Sequence, residues 1–547
     1  MSSLYSKWFH PYKPAKAYQK RVAYFSMEFG IDQGLKIYSG GLGFLAGSHM
    51  RSAFELKQNL IGIGMLWKFG YYDQGRNANQ TLQAKFIEKN YSFLEDSGLE
   101  VEVAINDNKA VKVRAMVLKP EIFGTVPIYL LTTDVEGNDH LSRTITDHLY
   151  DDNQFTRISQ NIVLGIGGAK IVQKLGGSDI YHLNEGHALP AFYFLKNNGV
   201  KKEQLRFTTH TPEKAGNMER EASLLNNIGF FGRYLNEEEL QKEAVAFNAL
   251  NYTIAALRLA EKSNAVSKLH AKVAKEMWKD YDGISQIIPI TNSQNQFFWQ
   301  DPSLKLAWAE KDKKGFIVRK KQLKKQLFKE VLDQTGKLFN PDVLTIVWAR
   351  RFAQYKRADL LLRDIHRFER LISSEDQAVQ IIWAGKPYPK DVFAVDLFNY
   401  LIQYSKFKKN IAVLTGYEIA LSKQLKEGSD VWLNTPRITR EASGTSGMTA
   451  AMNGSLNLSI NDGWIPEFAV NAKNAFVLPE ANPFSSDWEQ DEFDSKNLYR
   501  ILEEEVLPVY YEKNEQWMDM VFNGIDGVIP KFSSKRMAKE YYTKLYK

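Results

Sequence analysis

The sequence predicts an α/β fold with two doubly wound parallel sheets, on three observations. Short apolar runs rich in Val, Ile and Leu alternate with longer helical stretches from end to end, as in strands joined by helical crossovers. At 547 residues the chain is too long for one ordinary core and calls for two large domains or three smaller ones. Hydrophobic residues at 44% and charged residues at 25% are ordinary globular values, so the chain should bury a sizeable core.

In chain order, the first half offers strands at residues 22–27, 60–66, 126–131, 179–183 and 205–209, enough for one doubly wound sheet. The second half offers 344–349, 380–384, 412–414, 430–433 and 456–460 for another. Residues 287–292 read as a strand ending in a crossover loop between the two. The expected domains are therefore 1–292, 293–512 and a helical region 513–547 that packs back on the first domain. In such sheets ligands sit beyond the carboxyl ends of the strands, which places the expected site in a cleft between two facing domains.

Composition removes several function classes. There are no cysteines, which excludes disulfides, thiol catalysis and thiolate metal sites. The net charge of +7, from 71 basic and 64 acidic residues, is a small excess and argues against nucleic acid. Its one concentrated run, residues 311–329, carries Leu323, Leu327 and Phe328, followed by Val331, at helical spacing; its lysines are read as the solvated face of an amphipathic helix. No apolar run reaches the roughly 18 to 20 residues of a membrane span. Residues 1–20 carry charges and aromatics where a secretory leader would be continuously apolar. A soluble cytoplasmic protein is the expectation.

The polar motifs fall after strands. Tyr38-Ser-Gly-Gly-Leu-Gly43 follows the first strand and precedes a helix over 44–57, so Gly40, Gly41 and Gly43 are read either as a structural turn or as an anion-accepting loop at a helix N-terminus. Arg351 follows the strand 344–349, and Lys356, five residues on, opens the next helix. A guanidinium and an ammonium so placed suit a phosphate or diphosphate leaving group, or are surface cations. Tyr181-His-Leu-Asn-Glu-Gly-His187 and Thr208-Thr-His-Thr-Pro212 place His187, Asn184 and His210 at two further strand ends. Glu441 is either a binding carboxylate or a helix-capping residue.

Together these motifs resemble the α-glucan phosphorylases (glycogen, starch and maltodextrin phosphorylases). The segment from Glu441 to Gly454 is similar to E-A-S-G-T-x-x-M-K, the glycine loop to N-G-G-L-G, the segment Arg350-Arg-Phe-Ala-Gln-Tyr-Lys356-Arg to K-R-x-x-x-Y-K-R, and Leu183-Asn-Glu-Gly-His187 to L-N-D-x-H. The match runs from about residue 22 to about residue 468 in the same motif order, in a chain that looks like a short form. The resemblance implies GT-B architecture, two Rossmann-like domains facing a central cleft, with retention of α-configuration and no metal.

It also implies roles. Arg351, Lys356, His187 and Glu441 take the catalytic positions. Gly40, Gly41, Gly43, Asn184, His210, Asn292, Ser443 and Gly444 take the substrate-binding ones, although Ser293-Gln-Asn295 departs from the usual pattern after Asn292. Arg350, Lys386, Tyr417, Thr445 and Thr449 line the cofactor and phosphate side. In the family the lysine of the E-A-S-G-T-x-x-M-K segment holds pyridoxal phosphate as a Schiff base, and Thr449 stands in its place. A hydroxyl cannot form an imine, so covalent pyridoxal phosphate is not expected here. The nearest lysines in sequence are Lys426 and Lys473.

The resemblance implies, first, glucosyl transfer between an α-1,4-glucan or maltodextrin and orthophosphate, with glucose 1-phosphate as partner. The alternatives are a nucleotide-sugar-dependent synthase and a non-catalytic glucan-binding relative. Synthases carry E-x7-E, and Thr449 falls where the second glutamate would stand. The family also allows a homodimer.

Overall fold

A computed structural model describes residues 10–106, 109–245 and 248–547; residues 1–9 of the segment read against a leader lie outside them. The chain forms two compact units. Unit 1 comprises the residues up to Tyr72, Phe86–Thr291 and Met537–Lys547; unit 2 comprises Asp73–Lys85 and Asn292–Arg536.

Unit 1 is built on a nine-stranded sheet of β1 (Val22–Phe25), β2 (Leu60–Met65), β3 (Glu95–Ile105), β4 (Lys109–Leu118), β5 (Ile128–Thr132), β6 (Ile180–Asn184), β7 (Leu205–Thr209), β8 (Lys262–Ala265) and β9 (Gln286–Pro289). Their order is β9-β8-β7-β6-β1-β2-β5-β4-β3. The seven strands from β9 to β5 are parallel, and β4 and β3 extend the edge as an antiparallel pair. β1, β2 and β5 to β7 are buried along their whole length. That is why they read as unbroken apolar runs: crossover helices cover both faces of a parallel sheet. β3 and β4 instead alternate, with Val101, Val103, Val111 and Val113 inside and Glu100, Glu102 and Lys112 outward. The segment 287–292, read as a strand ending in a loop, supplies residues 287–289 to the edge strand β9 and leaves it as a loop from 290.

Unit 2 contains β10 (Leu344–Ala349), β11 (Val379–Ala384), β12 (Ile411–Leu414), β13 (Val431–Asn434), β14 (Leu456–Ser459) and β15 (Ala475–Val477), all parallel, in the order β12-β11-β10-β13-β14-β15. This is the Rossmann order, with its switch point between β10 and β13. Side chains alternate between two cores. Ile346, Trp348, Ile381 and Trp383 enter one, and Val347, Ala349, Ile382 and Trp432 the other.

Three features depart from expectation. The helix expected over 311–329 is α1 (Lys313–Thr335), and Leu323, Leu327, Phe328 and Val331 are buried as predicted, but Lys320 and Lys324 lie inside as well. Lys324 pairs with Asp430 at 2.5 Å, and Lys320 donates to the Asn453 carbonyl at 2.8 Å. A hairpin, Asp73–Arg76 with Leu82–Lys85, belongs to unit 2 although it interrupts unit 1 in sequence. Finally, the helical region from 513 is shared: the long helix Asn514–Phe532 lies in unit 2, while Met537–Lys547 closes unit 1.

The closing segment of unit 1 is held by polar groups. Buried His182 on β6 takes Tyr546 Oη at 2.8 Å on Nδ1 and Thr208 Oγ1 at 2.7 Å on Nε2, and Thr208 donates on to Asn264 Oδ1 at 2.6 Å. Arg206 reaches the Leu545 carbonyl and, at 3.2 Å, that of Lys547. Burial drives the His182 imidazole well below its usual range, so it serves as a neutral donor and acceptor. Tyr546→Phe strands one buried ring nitrogen. It should destabilise unit 1 by ~1–2 kcal/mol and lower its calorimetric transition by ~2–5 °C.

Candidate functional site

Polar residues gather at strand carboxyl ends in both units. In unit 1 the organising group is Glu28, three residues past β1 and 2% exposed. Its carboxylate accepts from Ser39 N at 2.7 Å, Gly40 N at 3.2 Å, Ser39 Oγ at 2.8 Å and Tyr150 Oη at 2.5 Å. The glycine loop thus offers two of its amides to a carboxylate of its own chain, and a phosphate there would meet negative charge. Of the two readings of this loop, these bonds agree with the structural turn. Gly43 is required for packing, since a Cβ there would lie 2.5 Å from Tyr38 Cβ and 3.0 Å from Glu28 Oε2, whereas Gly40 and Gly41 face open space. The helix begins at Gly41 and runs to Glu55.

The two histidine motifs come together. His210 Nε2 bonds Asn184 Oδ1 at 2.6 Å, and its backbone N–H donates to Glu185 Oε2 at 2.7 Å. Glu185 has φ +74°, a conformation costly for a residue with a Cβ, and its other oxygen accepts from Gly186 N at 3.0 Å. His187 is buried, and its Nδ1 has no hydrogen-bond partner among the described residues. Burial, with Arg157 nearby, lowers its pKa to about 3; His210 is lowered to about 3 by burial and by His270 and His187. Both rings are neutral at physiological pH, suited to hydroxyl contacts and not to donating a charge.

In unit 2 Arg350 follows β10. Its carbonyl lies so close to β11's end that a Cβ on Gly385 would stand 1.9 Å from it, at a φ of +147°, so only glycine fits. Lys356 ends a short turn over Gln354–Lys356, not a helix start as expected. The carboxylate of Glu441 sits between the two cations, 2.9 and 3.2 Å from Lys356 Nζ and 3.2 Å from Arg350 Nη1. Burial pushes that carboxyl up, but Lys356 and Arg350 outweigh it and hold it below its usual value, so Glu441 is ionised. The capping role considered for Glu441 falls to Gly444, at φ +83°, which precedes α2 (Thr445–Met452). Arg351, exposed, also acts on Glu441 electrostatically.

Arg350 Nε and Ser443 Oγ, both buried, lack hydrogen-bond partners among the described residues, as does Asn292 Oδ1 of the same unit. Buried polar atoms left in this way call for an occupant, and a ligand or ordered water supplies one. Lys386 instead pairs with buried Glu418 at 3.0 Å, and Tyr417 Oη reaches the Ala349 carbonyl at 3.4 Å. Gln74 of the hairpin closes this side. It donates to the Gly385 carbonyl at 2.9 Å and accepts from Gly416 N at 3.0 Å and Tyr417 N at 3.3 Å.

Asp462 fixes the Glu441 loop from below. Its carboxylate accepts from Glu441 N at 2.9 Å and Gly463 N at 2.7 Å, while Trp464 N donates to Ser443 O at 3.0 Å. Glu28, Tyr150, Gln74, Glu418 and Asp462 carry structural roles here that motif reading did not assign. Asp462 is followed by Gly463, and that Asp-Gly pair is a turn signal readable in the sequence.

The matching family model is that of carbohydrate phosphorylase, over residues 303–500. A maltodextrin phosphorylase of Thermococcus litoralis is 35% identical over 99% of this chain and 72% of its own. The chain belongs to the carbohydrate phosphorylase family. A glycogen phosphorylase of Aquifex aeolicus is 30% identical over 100% of this chain and 89% of its own. An uncharacterised protein of Methanocaldococcus jannaschii is 45% identical over 96% of this chain and the whole of its own.

The family implies pyridoxal phosphate, and its anchoring lysine has no counterpart at Thr449. Thr449 is 1% exposed, and its hydroxyl is spent inside α2, donating to Ser446 O at 3.0 Å. Lys320 and Lys426, buried lysines whose pKa burial lowers to about 7, do have the chemistry of a Schiff-base amine. Lys320 is bonded to Asn453 O beyond the far end of α2, however, and Lys426 lies 3.9 Å over the Trp299 ring. These residues do not fit a cofactor anchored as an imine on α2. Among the described residues no cluster of His, Asp or Glu is placed to hold a metal, and no helix is long and apolar enough to cross a membrane.

Asp462 supplies a test of the loop's electrostatics. Burial raises its pKa from 3.8 to about 7. The unfolded chain therefore ionises this group first, and stability falls as pH rises from about 4 to about 7. Asp462→Asn removes that contribution. The variant's denaturant midpoint should decline less over this range than that of the unaltered protein.

Proposed function

We propose that the protein is a retaining glucosyltransferase of the α-glucan phosphorylase type and GT-B class, which moves glucosyl units between an α-1,4-glucan and orthophosphate. The observation that carries this reading is the pair of buried cations Arg350 and Lys356 around an ionised Glu441, with Arg350 Nε and Ser443 Oγ still unpartnered beside them. That is an anion site with its own counter-charge, at the carboxyl end of a Rossmann-ordered sheet where ligands bind. The names of the relatives, maltodextrin phosphorylase and glycogen phosphorylase, support the substrate class.

In this reading the residues divide the work. Arg350, Arg351 and Lys356 hold the phosphate and stabilise its charge as it joins or leaves the sugar. Glu441 and Ser443 contact sugar hydroxyls, and within unit 1 the neutral His187 and His210, with Asn184, form a set of groups suited to hydroxyls. In phosphorolysis the glucan's C1–O4 bond breaks, a phosphate oxygen bonds to C1, and the proton carried by the phosphate passes to the departing O4. The chain's part is orientation and charge stabilisation, with no imine-bound group at Thr449.

The test is direct. Purified protein with maltodextrin and orthophosphate should form glucose 1-phosphate without added pyridoxal phosphate, and Lys356→Ala should lower kcat/KM by about 100-fold or more. Glucan extension from ADP- or UDP-glucose alone would replace the reading with a synthase, and glucan binding without turnover would replace it with a binding protein. A second measurement addresses position 449. If the pocket beside α2 still admits the cofactor, Thr449→Lys should give an imine absorbance with pyridoxal phosphate, and a folded variant without it would show that no such pocket remains.

A further inference from the structure

We infer that unit 2 carries a separate carbohydrate site, a cavity beside the helix Val392–Ser405 that holds a segment of a glucan chain away from Arg350, Lys356 and Glu441. The inference goes beyond the function proposed above and rests on it for the identity of the glucan.

The cavity encloses about 360 Å³, and none of Arg350, Lys356 and Glu441 lines it. Small-ligand clefts run from roughly 300 to 1,000 Å³, so its size suits a short piece of a chain. Phe393, Leu397 and Tyr400 supply its apolar lining. They fall at i, i+4 and i+7 on one face of the helix, and both rings are about half exposed. That face continues beyond the cavity. The Tyr404 ring lies 6.1 Å from that of Tyr400 at an interplanar angle of 31°, and Phe407, just past the helix end, is 86% exposed. From Phe393 to Tyr404 the face extends roughly 16 Å. An exposed apolar face of this length marks a binding surface, and its rings are flat platforms.

The polar lining decides what lies on them. Arg357, Arg363 and Arg437 all line the cavity, and each is already matched. Arg357 takes Asp491 and Asp494, Arg437 takes Asp487 and Asp491, and Arg363 takes Glu492. With Asp359, which also lines the cavity, five carboxylates stand against three guanidiniums, so an anion is repelled. Among the described residues, only its own backbone N–H donates to the half-buried Asp359 carboxylate. Its oxygens are acceptors for a ligand's donors, and the exposed Gln354 in the same lining offers both donor and acceptor. The ligand is therefore uncharged, carries hydroxyl donors and has an apolar face to lay on the rings. A sugar ring has all three, its C–H groups forming the faces and its hydroxyls the edge. Repeated along a chain, that pattern fits an aromatic face that outruns the cavity. An apolar protein surface would instead strip water from Asp359 and supply no donors.

Affinity electrophoresis of the full chain in gels containing soluble amylose tests this. The unaltered protein should be retarded, and Phe393→Ala/Tyr400→Ala should raise the apparent Kd for amylose about fivefold or more. Asp359→Ala should raise it about threefold. In the double variant kcat and KM for a short maltooligosaccharide should stay within about twofold, while KM for the polymer rises. No retardation of the unaltered protein, unchanged retardation of the folded double variant, or an equal rise in KM for the short and the long substrate would each overturn the inference. Should the double variant not fold, Asp359→Ala decides in its place. Retardation that the double variant loses, with no glucose 1-phosphate formed by either protein, supports this site and sinks the proposed function. Glucose 1-phosphate formed from the short substrate, with no retardation by amylose, does the reverse.

Discussion

The guanidinium of Arg357 joins the loop after β10 to the loop after β13, and Lys356, its neighbour in the chain, is placed by that joint. Its Nε donates to Thr435 O and its Nη2 to Pro436 O, each at 2.9 Å, while Asp491 and Asp494 accept from the two ends of the fork at 2.9 and 2.7 Å. Only a planar group with five donors satisfies four acceptors in this geometry; a lysine would leave some of them buried and empty. The backbone of Arg357 accepts φ +47° to reach them. Lys356 is the preceding residue, and Thr435 Oγ1 donates to its carbonyl at 3.0 Å, so the Lys356 cation is carried next to the joint.

The two units solve different electrostatic problems with similar sheets. In unit 1 the groups at the strand ends are neutral or internally satisfied: uncharged imidazoles, an amide, and carboxylates turned onto backbone N–H groups. In unit 2 charge is concentrated and offset by partners built into the same loops. The first arrangement suits hydroxyl-rich ligands, whose recognition needs many fixed donors and acceptors and little field. The second suits an anion, because a buried field decays slowly and every extra or missing charge is felt.

Much of this was legible in the residues. The central parallel strands stood out because both faces are covered, and the motif residues Arg350, Lys356 and Glu441 fall together as their positions after strands imply. Other parts were hidden for physical reasons. β8, Lys-Ser-Asn-Ala, has no apolar signal because its interior positions Ser263 and Asn264 are satisfied by hydrogen bonds and not by packing. The burial of Lys320 and Lys324 was invisible because their acceptors, Asn453 O and Asp430, lie over a hundred residues away. Glu28 gave no sign of its role, since a carboxylate after a strand looks the same whether it meets water or two amides.

The hairpin 73–85 and the segment 537–547 also bear on how the chain becomes a protein. Each unit is discontinuous: unit 2 owns a piece synthesised before most of unit 1, and unit 1 owns a piece synthesised after all of unit 2. As the ribosome delivers the chain in order, unit 1 must wait for Tyr546 to reach His182, and Gln74 must wait for the turn at Gly416 more than three hundred residues later. Such long-range closures are slow. The nascent chain therefore cannot finish one unit before starting the other, and the interval in which its sheet edges stand uncovered is when it most needs protection from aggregation.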